Sequence, residues 1–319
     1  MEHSIAFWNL ENLFDVEDSP RRTEKLQRTI GSELSEWTDA VLNKKIAQLA
    51  SVIVRMNQGR GPDVLGVSEV ENRYVLELLA AALAPLHRDY RIIHFDTKDE
   101  RGIDVAFLYD AALFRAGETF SHYVVKRAAT RDIVQVNFHR VPDERLLILI
   151  GNHWPSRSAG QYESEPYRII AAETLSYFHL RILEICGKDT AILAMGDFND
   201  EPHDRSIVGY ACAERTESKV IRALSPRFLN LMWGIAGQGI GTHYYNNAPN
   251  VLDQFLASRG LVTGASGFRV LPGTVDVVRF PEMVSPGTYP VPIRYGRGDT
   301  PDSAGFSDHF PIAVTVEDV

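Results

Sequence analysis

The chain has 319 residues, 45% of them hydrophobic and 24% charged, the composition of an ordinary folded protein with ample apolar material for one large core. Its formal net charge of −9 excludes a globally basic surface that grips a long duplex, so any face that meets a polyanion has to be local. Two cysteines, Cys186 and Cys212, are too few for a disulfide framework and lie in no metal-ligand spacing, which predicts thiols in a reducing compartment.

The N-terminus has neither the basic segment nor the unbroken apolar stretch of a secretion signal. No segment approaches the roughly 18–20 apolar residues of a membrane span, so the expected location is the cytoplasm. Residues 4–8 (SIAFW) read as a strand that runs into Asn9, Leu10, Glu11 and Asn12. Residues 15–38 are polar and irregular. Leu42, Ile46, Leu49, Ile53 and Met56 then recur at helical spacing. Residues 64–67 predict a buried strand ending in Ser68-Glu69-Val70-Glu71-Asn72, and an Ala/Leu-rich helix follows until Pro85 stops it. Residues 90–95 and 103–109 read as strands around the polar turn 96–102. Residues 123–126 and 133–139 are further expected strands.

Residues 146–150 form an apolar run that ends in Gly151-Asn152-His153-Trp154. A long helix is expected over 166–185, with Pro166 in its first turn. Residues 191–195 are another buried strand, ending in Gly196-Asp197-Phe198-Asn199-Asp200, and 251–257 a strand that contains Asp253. Residues 272–305 are rich in Pro and Gly. The chain closes on Phe306-Ser307-Asp308-His309 and the strand 310–316. Strands and helices alternate without a fixed order, and some strand pairs look like hairpins, which predicts an α/β (α+β) fold on mixed sheets. No linker divides the chain, so 1–319 is expected to be one domain with insertions near 15–38 and 272–305.

Asn9, Glu11, Glu69, His153, Asp197 and Asn199 all stand where an apolar strand ends, the place from which a rigid sheet presents side chains to a cleft. Singly, each also reads as a turn residue, a helix N-terminal acid or an Asx turn. Together they are the carboxylate and amide oxygens that a hard cation prefers, and a metal on a phosphate offsets the charge that builds up in phosphoryl transfer. Asp197 can take a proton from water or hold it in line, with Asn199 orienting it. Histidine can protonate or polarise a phosphate oxygen near neutral pH. Asp253 or Asp308 can orient His309, because a carboxylate on one ring nitrogen fixes the tautomer. Arg101, Arg157 and Arg168 are candidate phosphate contacts, weighed against the ordinary fate of a solvated arginine.

In this order, and over nearly the whole chain, these motifs resemble the endonuclease/exonuclease/phosphatase superfamily, which includes deoxyribonuclease I, abasic-site endonucleases, neutral sphingomyelinases and inositol polyphosphate 5-phosphatases. The carrying motifs are Trp8-Asn9-Leu10-Glu11-Asn12, Ser68-Glu69, residues 101–109 (RGIDVAFLY), Asn152-His153-Trp154, Gly196-Asp197-Phe198-Asn199, Asp253, and Ser307-Asp308-His309-Phe310-Pro311. The resemblance implies a four-layer αββα sandwich, two mixed sheets face to face with helices outside. It implies Mg²⁺ or Mn²⁺ on Glu69, with Asn9, Glu11 and Asp308 close to it. It implies Asp197 and Asn199 at the water and the scissile phosphate, His309 on the phosphate and oriented by Asp253, and His153 as a second histidine. Abasic-site endonucleases commonly carry a tyrosine at that last place, so His153 points to the deoxyribonuclease, sphingomyelinase and phosphatase side, in a bacterial-type nuclease-like branch. Glu11 departs from the aspartate of some branches, and whether it touches metal is left open.

The leading expectation is a metal-dependent hydrolase of phosphodiesters, a nuclease first, acting on nucleic acid or another phosphodiester. The second is a small-molecule or lipid-headgroup phosphoesterase, which the acidic balance favours slightly. A non-catalytic binding module on the same fold is the third. Against it stands the desolvation cost of so many unused polar groups.

Overall fold

The computed structural model describes residues 1–296 and 301–319; residues 297–300, inside the expected insertion 272–305, lie outside the described residues. Strands β7 (Leu146–His153) and β8 (Ala191–Asp197) are buried almost end to end. Such continuous apolar runs need cover on both faces, and the side chains show how it is supplied. Leu147 and Leu149 of β7 point into one core with Leu193 and Met195 of β8, while Ile148, Ile150, Ile192 and Ala194 point into another. This period of two assigns one face to a facing sheet and the other to a helix.

The facing sheet runs β14 (Phe268–Val270), β16 (Ile312–Asp318), β1 (Glu2–Leu13), β2 (Val64–Val70), β4 (Asp104–Asp110), β3 (Tyr90–His94), with β15 (Asp276–Val277) also on β16. The sheet of β7 and β8 runs β5 (Phe114–His122), β6 (Ile133–Arg140), β7, β8, β13 (Asp253–Ser258), β10 (Phe228–Asn230), β9 (Ala213–Glu214). Both are mixed: β1 with β2 and β7 with β8 are parallel, while β1 with β16 and β8 with β13 are antiparallel. A small hairpin, β11 (His243–Tyr245) and β12 (Ala248–Asn250), stands apart. The sheets meet closely enough to require glycine. A Cβ on Gly66 would come 2.8 Å from Met195, and one on Gly151 would come 2.7 Å from Val105. Helices Asp39–Ile53 and Arg73–Ala82 cover the outside of the first sheet, and Gln161–Cys186 the outside of the second, completing the four layers.

Three local expectations are corrected. Residues 123–126 are not a strand; the hairpin partner of β6 is β5, whose polar, half-exposed sequence hid it. The long helix begins at Gln161, so Pro166 lies in its second turn rather than its first. Residues 15–38 hold a short helix, Glu24–Ile30, capped by the Thr23 side chain. A third apolar cluster of Phe14, Ile30, Leu34, Trp37, Ile103 and Tyr295 joins this insertion to the later one. No described helix is long and apolar enough to cross a membrane.

Candidate active site

β1 and β2 run side by side, with Asn9 paired to Ser68, and both lose register at their ends. Glu11, Asn12 and Glu69 have φ of 50°, 57° and 62°. A left-handed residue in a bulge re-aims the side chains around it, and here it brings Asn9 and Glu69 to one rim. On the other sheet, Asp197 pairs with His153 on one side and with Asp253 on the other. The loop before β16 supplies His309, tied down by Trp8 Nε1 donating to its carbonyl at 2.8 Å. Ser307 Oγ donates to the Asn9 carbonyl at 2.6 Å and accepts the His309 amide at 3.1 Å.

The side chains interlock. Asn9 Nδ2 donates to Glu69 Oε1 at 3.2 Å and to Asp197 Oδ2 at 3.1 Å. Glu69 Oε2 accepts the Asn12 amide at 2.9 Å, and Asp197 Oδ1 accepts the Asn199 amide at 2.9 Å. Asn199, at φ 51°, donates from Nδ2 to the Trp154 carbonyl at 3.0 Å. His309 Nδ1 is 2.7 Å from Asp253 Oδ2, and its Nε2 is 3.8 Å from Asp197 Oδ2. His153 Nε2 is 3.7 Å from Asp197 Oδ2 and 3.8 Å from Glu69 Oε1. Burial pushes the Asp197 carboxyl up to about 6, with the charge of Asp253 adding to it. Burial works against a charged His309, yet Asp253 and Asp197 outweigh it and hold the ring well above its ordinary pKa. His153 is pushed well below, by burial first and then by Arg131. The two histidines are thereby shifted in opposite senses: the carboxylates around His309 favour its cation, and the surroundings of His153 favour its neutral form.

Glu69 and Asp308 offer carboxylate oxygens, and Asn9 an amide oxygen, of the kind a hard divalent cation takes. Burial raises the Asp308 carboxyl and the Glu69 charge adds to it, against the pull of His309, Arg294 and Lys45. Two groupings at the site have ligand atoms within 4.8 Å of one another: Asp197, Asp253 and His309, and His243, Asp308 and His309.

Four of the expected residues are placed differently. Glu11 is buried, but its Oε1 accepts Arg294 Nε at 2.8 Å and its Oε2 accepts the Tyr295 amide at 2.9 Å. Both oxygens of Glu11 thus tie the end of β1 to the later insertion. Arg157 donates to the Asn199 carbonyl and to Asp204, both at 2.6 Å, and to Asp200 at 3.0 Å, so it fastens the Asn199 turn. Arg168 is fully buried, 2.7 Å from Asp200 and hydrogen-bonded to Ser164 Oγ at 2.6 Å, which removes it from any substrate. Arg101 does reach the rim, but there it is engaged by Asn12 Oδ1 and by Glu33 at 2.7 Å.

Other residues at the centre carried no signal at a strand end. Lys45 is fully buried, donates to the Glu11 carbonyl and lies 4.9 Å from the Tyr295 ring centre. Burial lowers its pKa to about 8, against the pull of Glu11 and Asp308. Its signal was available, since a lysine at 45 falls on the apolar face defined by 42, 46 and 49. His243 packs on His309 with ring centres 4.8 Å apart, and Thr242 Oγ1 accepts the Asp253 amide at 3.0 Å. Arg131 Nη2 lies 2.6 Å from His153 Nε2.

A model of the Endonuclease/Exonuclease/phosphatase family matches residues 4–318. Among solved structures, the mannosyl-6-phosphatase Bt3783 of Bacteroides thetaiotaomicron is similar over 99% of each chain, with 16% identity and a TM-score of 0.59. The human Nocturnin catalytic domain with bound sulfate covers 100% of this chain and 95% of its own, at 14% identity and a TM-score of 0.57. Truncated TDP2 of Caenorhabditis elegans covers 99% and 98%, at 14% and 0.57. At such identities the likeness is one of fold. No curated protein sequence matches the chain.

Proposed function

The chain belongs to the endonuclease/exonuclease/phosphatase family, and on that premise we propose that it is a divalent-metal-dependent hydrolase of phosphodiester bonds, with nucleic acid as its first substrate class. The observation that carries the reading is the gap between His309 and Asp197. Their facing atoms are 3.8 Å apart, beyond a direct hydrogen bond and suited to a shared third group. The surroundings of His309 favour its cation, and burial pushes the Asp197 carboxyl up to about 6. In this reading Asp197 takes the proton of the attacking water, being ionised at neutral pH yet basic enough to accept it. Asn199, fixed by Trp154 and Arg157, borders the phosphate. His309, oriented by Asp253, stabilises the charge on the phosphate oxygens. Glu69, Asp308 and Asn9 would hold Mg²⁺ or Mn²⁺, whose charge polarises the phosphate.

A second reading, a small-molecule or lipid-headgroup phosphoesterase, draws on the net charge of −9 and on the named sugar-phosphate phosphatase of the same fold. The deciding experiment is a panel of plasmid DNA, RNA, sphingomyelin and inositol phosphates, each with Mg²⁺, Mn²⁺ or EDTA. Glu69→Gln should cut turnover by several orders of magnitude with little change in melting temperature, because the amide is isosteric but a poorer ligand for a hard cation. Full activity in EDTA would exclude the metal mechanism.

A further inference from the structure

Away from the catalytic rim, a cavity of about 270 Å³ opens among His179, Lys188, Arg227 and Arg259. It lies beyond the other ends of the strands that carry Asp197 and Asp253, since Lys188 precedes β8, Arg259 follows β13 and Arg227 precedes β10. β8 is seven residues long, so roughly 20 Å of strand separates the cavity from Asp197. The frame around it is fixed. Ser258 Oγ donates to the Thr190 carbonyl at 2.8 Å and accepts the Ile192 amide at 2.9 Å. Gly260 lies so close to the Asp189 carbonyl that a Cβ would have no room.

His179, on the helix Gln161–Cys186, is 2% exposed and stacks on Phe228 with ring centres 3.8 Å apart. Its Nε2 is buried without a hydrogen-bond partner, on a ring that burial keeps neutral by pushing its pKa down to about 3. Arg259 Nε is also buried and unpartnered, 3.7 Å from Asp189 Oδ1 and so beyond a hydrogen bond. Lys188 is exposed and makes no ion pair among the described residues. Arg227 shares Glu214 with Lys219, at 3.1 and 3.2 Å. Glu184, the one carboxylate of the lining, is taken up by Arg181.

In a protein of net charge −9, three cations therefore surround a cavity whose single carboxylate is already engaged. Buried polar groups left without partners are costly. A neutral imidazole, a guanidinium and an ammonium can all donate to one oxyanion, and a dianion answers several cations better than a single charge does. Beside them stand Leu183 and Leu224, the latter fully exposed to water, which offer an apolar wall to a hydrocarbon group.

We propose that this cavity is a second ligand site, remote from the catalytic rim, that binds a small organic phosphate monoester. Its oxyanion is held by Arg259, Lys188 and His179 Nε2, and its apolar body lies against Leu183 and Leu224. The site goes beyond the phosphoesterase reading and does not depend on it.

The test uses phenyl phosphate as the probe, in EDTA so that no divalent cation draws it to the rim. Binding is measured by calorimetry for wild type, Arg259→Gln, Lys188→Gln and the rim variant His309→Asn, with melting temperatures recorded in parallel. Affinity should fall about tenfold in Arg259→Gln, which loses a charge-assisted contact. It should fall severalfold in Lys188→Gln, an exposed change that keeps the test valid should Arg259→Gln fail to fold, and stay unchanged in His309→Asn. The ring-proton resonance of His179, assigned by its loss in His179→Gln, should shift as the probe is added. Wild-type protein that binds no probe, affinity lost in His309→Asn and kept in both cavity variants, or a His179 resonance that does not move would each overturn the proposal. None of these outcomes depends on turnover at the rim.

Discussion

His309 and Asp253 act on one another across 56 positions of sequence. A ring held by a carboxylate at 2.7 Å has its tautomer fixed and its cation stabilised. Asp253→Asn and His309→Asn should each lower kcat by roughly 10²–10⁴-fold, and the double variant should be little worse than the worse single one, as groups acting as one unit are non-additive. Fully multiplicative losses would refute the pairing. Lys45 gives a second test, in EDTA. Its folded pKa of about 8 lies below the unfolded value of 10.5, so the unfolded chain binds more protons between the two. Stability from this group therefore rises as pH climbs through that window. Wild type should gain stability relative to Lys45→Met between about pH 7 and 10 in denaturant melts; a pH-independent difference would refute it. Asn9, Asp197 and Asp253 were legible as polar residues interrupting apolar strands. Glu11, Arg157 and Arg168 were not legible in the same way, because sequence shows a charge without its partner. The partners Arg294, Asp204 and Asp200 come from segments that only the fold brings near.

The elements that terminate at the site do so by bulging, and the insertions lean on those termini. Arg22 is the clearest fastening. It donates to Glu71 at 2.7 and 2.8 Å and to the carbonyls of Asp15, Val16 and Glu17, with both charged side chains out of water. Arg22→Met would leave Glu71 buried and unpaired, a loss of about 3–5 kcal/mol, and should open residues 15–38 to limited proteolysis. An unchanged cleavage pattern and melting temperature would show that the insertion is held otherwise. The buried strands and the amphipathic helices were readable from periodicity. The packing of Trp37 on Tyr295, 5.9 Å apart, was not, since 258 positions separate the two residues and neither lies in a periodic run.

For the whole molecule, two sheets set face to face leave one shared rim, and all the strand ends that carry chemistry arrive there. The −9 charge bears on what that rim can hold. A protein that neutralises many phosphates loses roughly 10³–10⁵ in affinity between 50 and 200 mM salt. Here binding to a short DNA duplex should weaken far less over that range, and a loss of several decades would show a true duplex grip. The layered fold was legible as a whole because ordered motifs span it, whereas β5 and the small hairpin were not, being too polar or too short to stand out.

The placement of β16 has a consequence for biogenesis. It lies inside its sheet, between β1 and β14, and the loop that bears His309 is fixed only when Trp8 and Asn9 are met from the far end of the chain. On the ribosome, β1 is made well before β16 and keeps a bare edge until β16 follows, an exposure of the kind that invites mispairing. A polypeptide cut short between Asp253 and Asp308 would carry Glu69, Asp197 and Asp253 without the His309 imidazole that answers them.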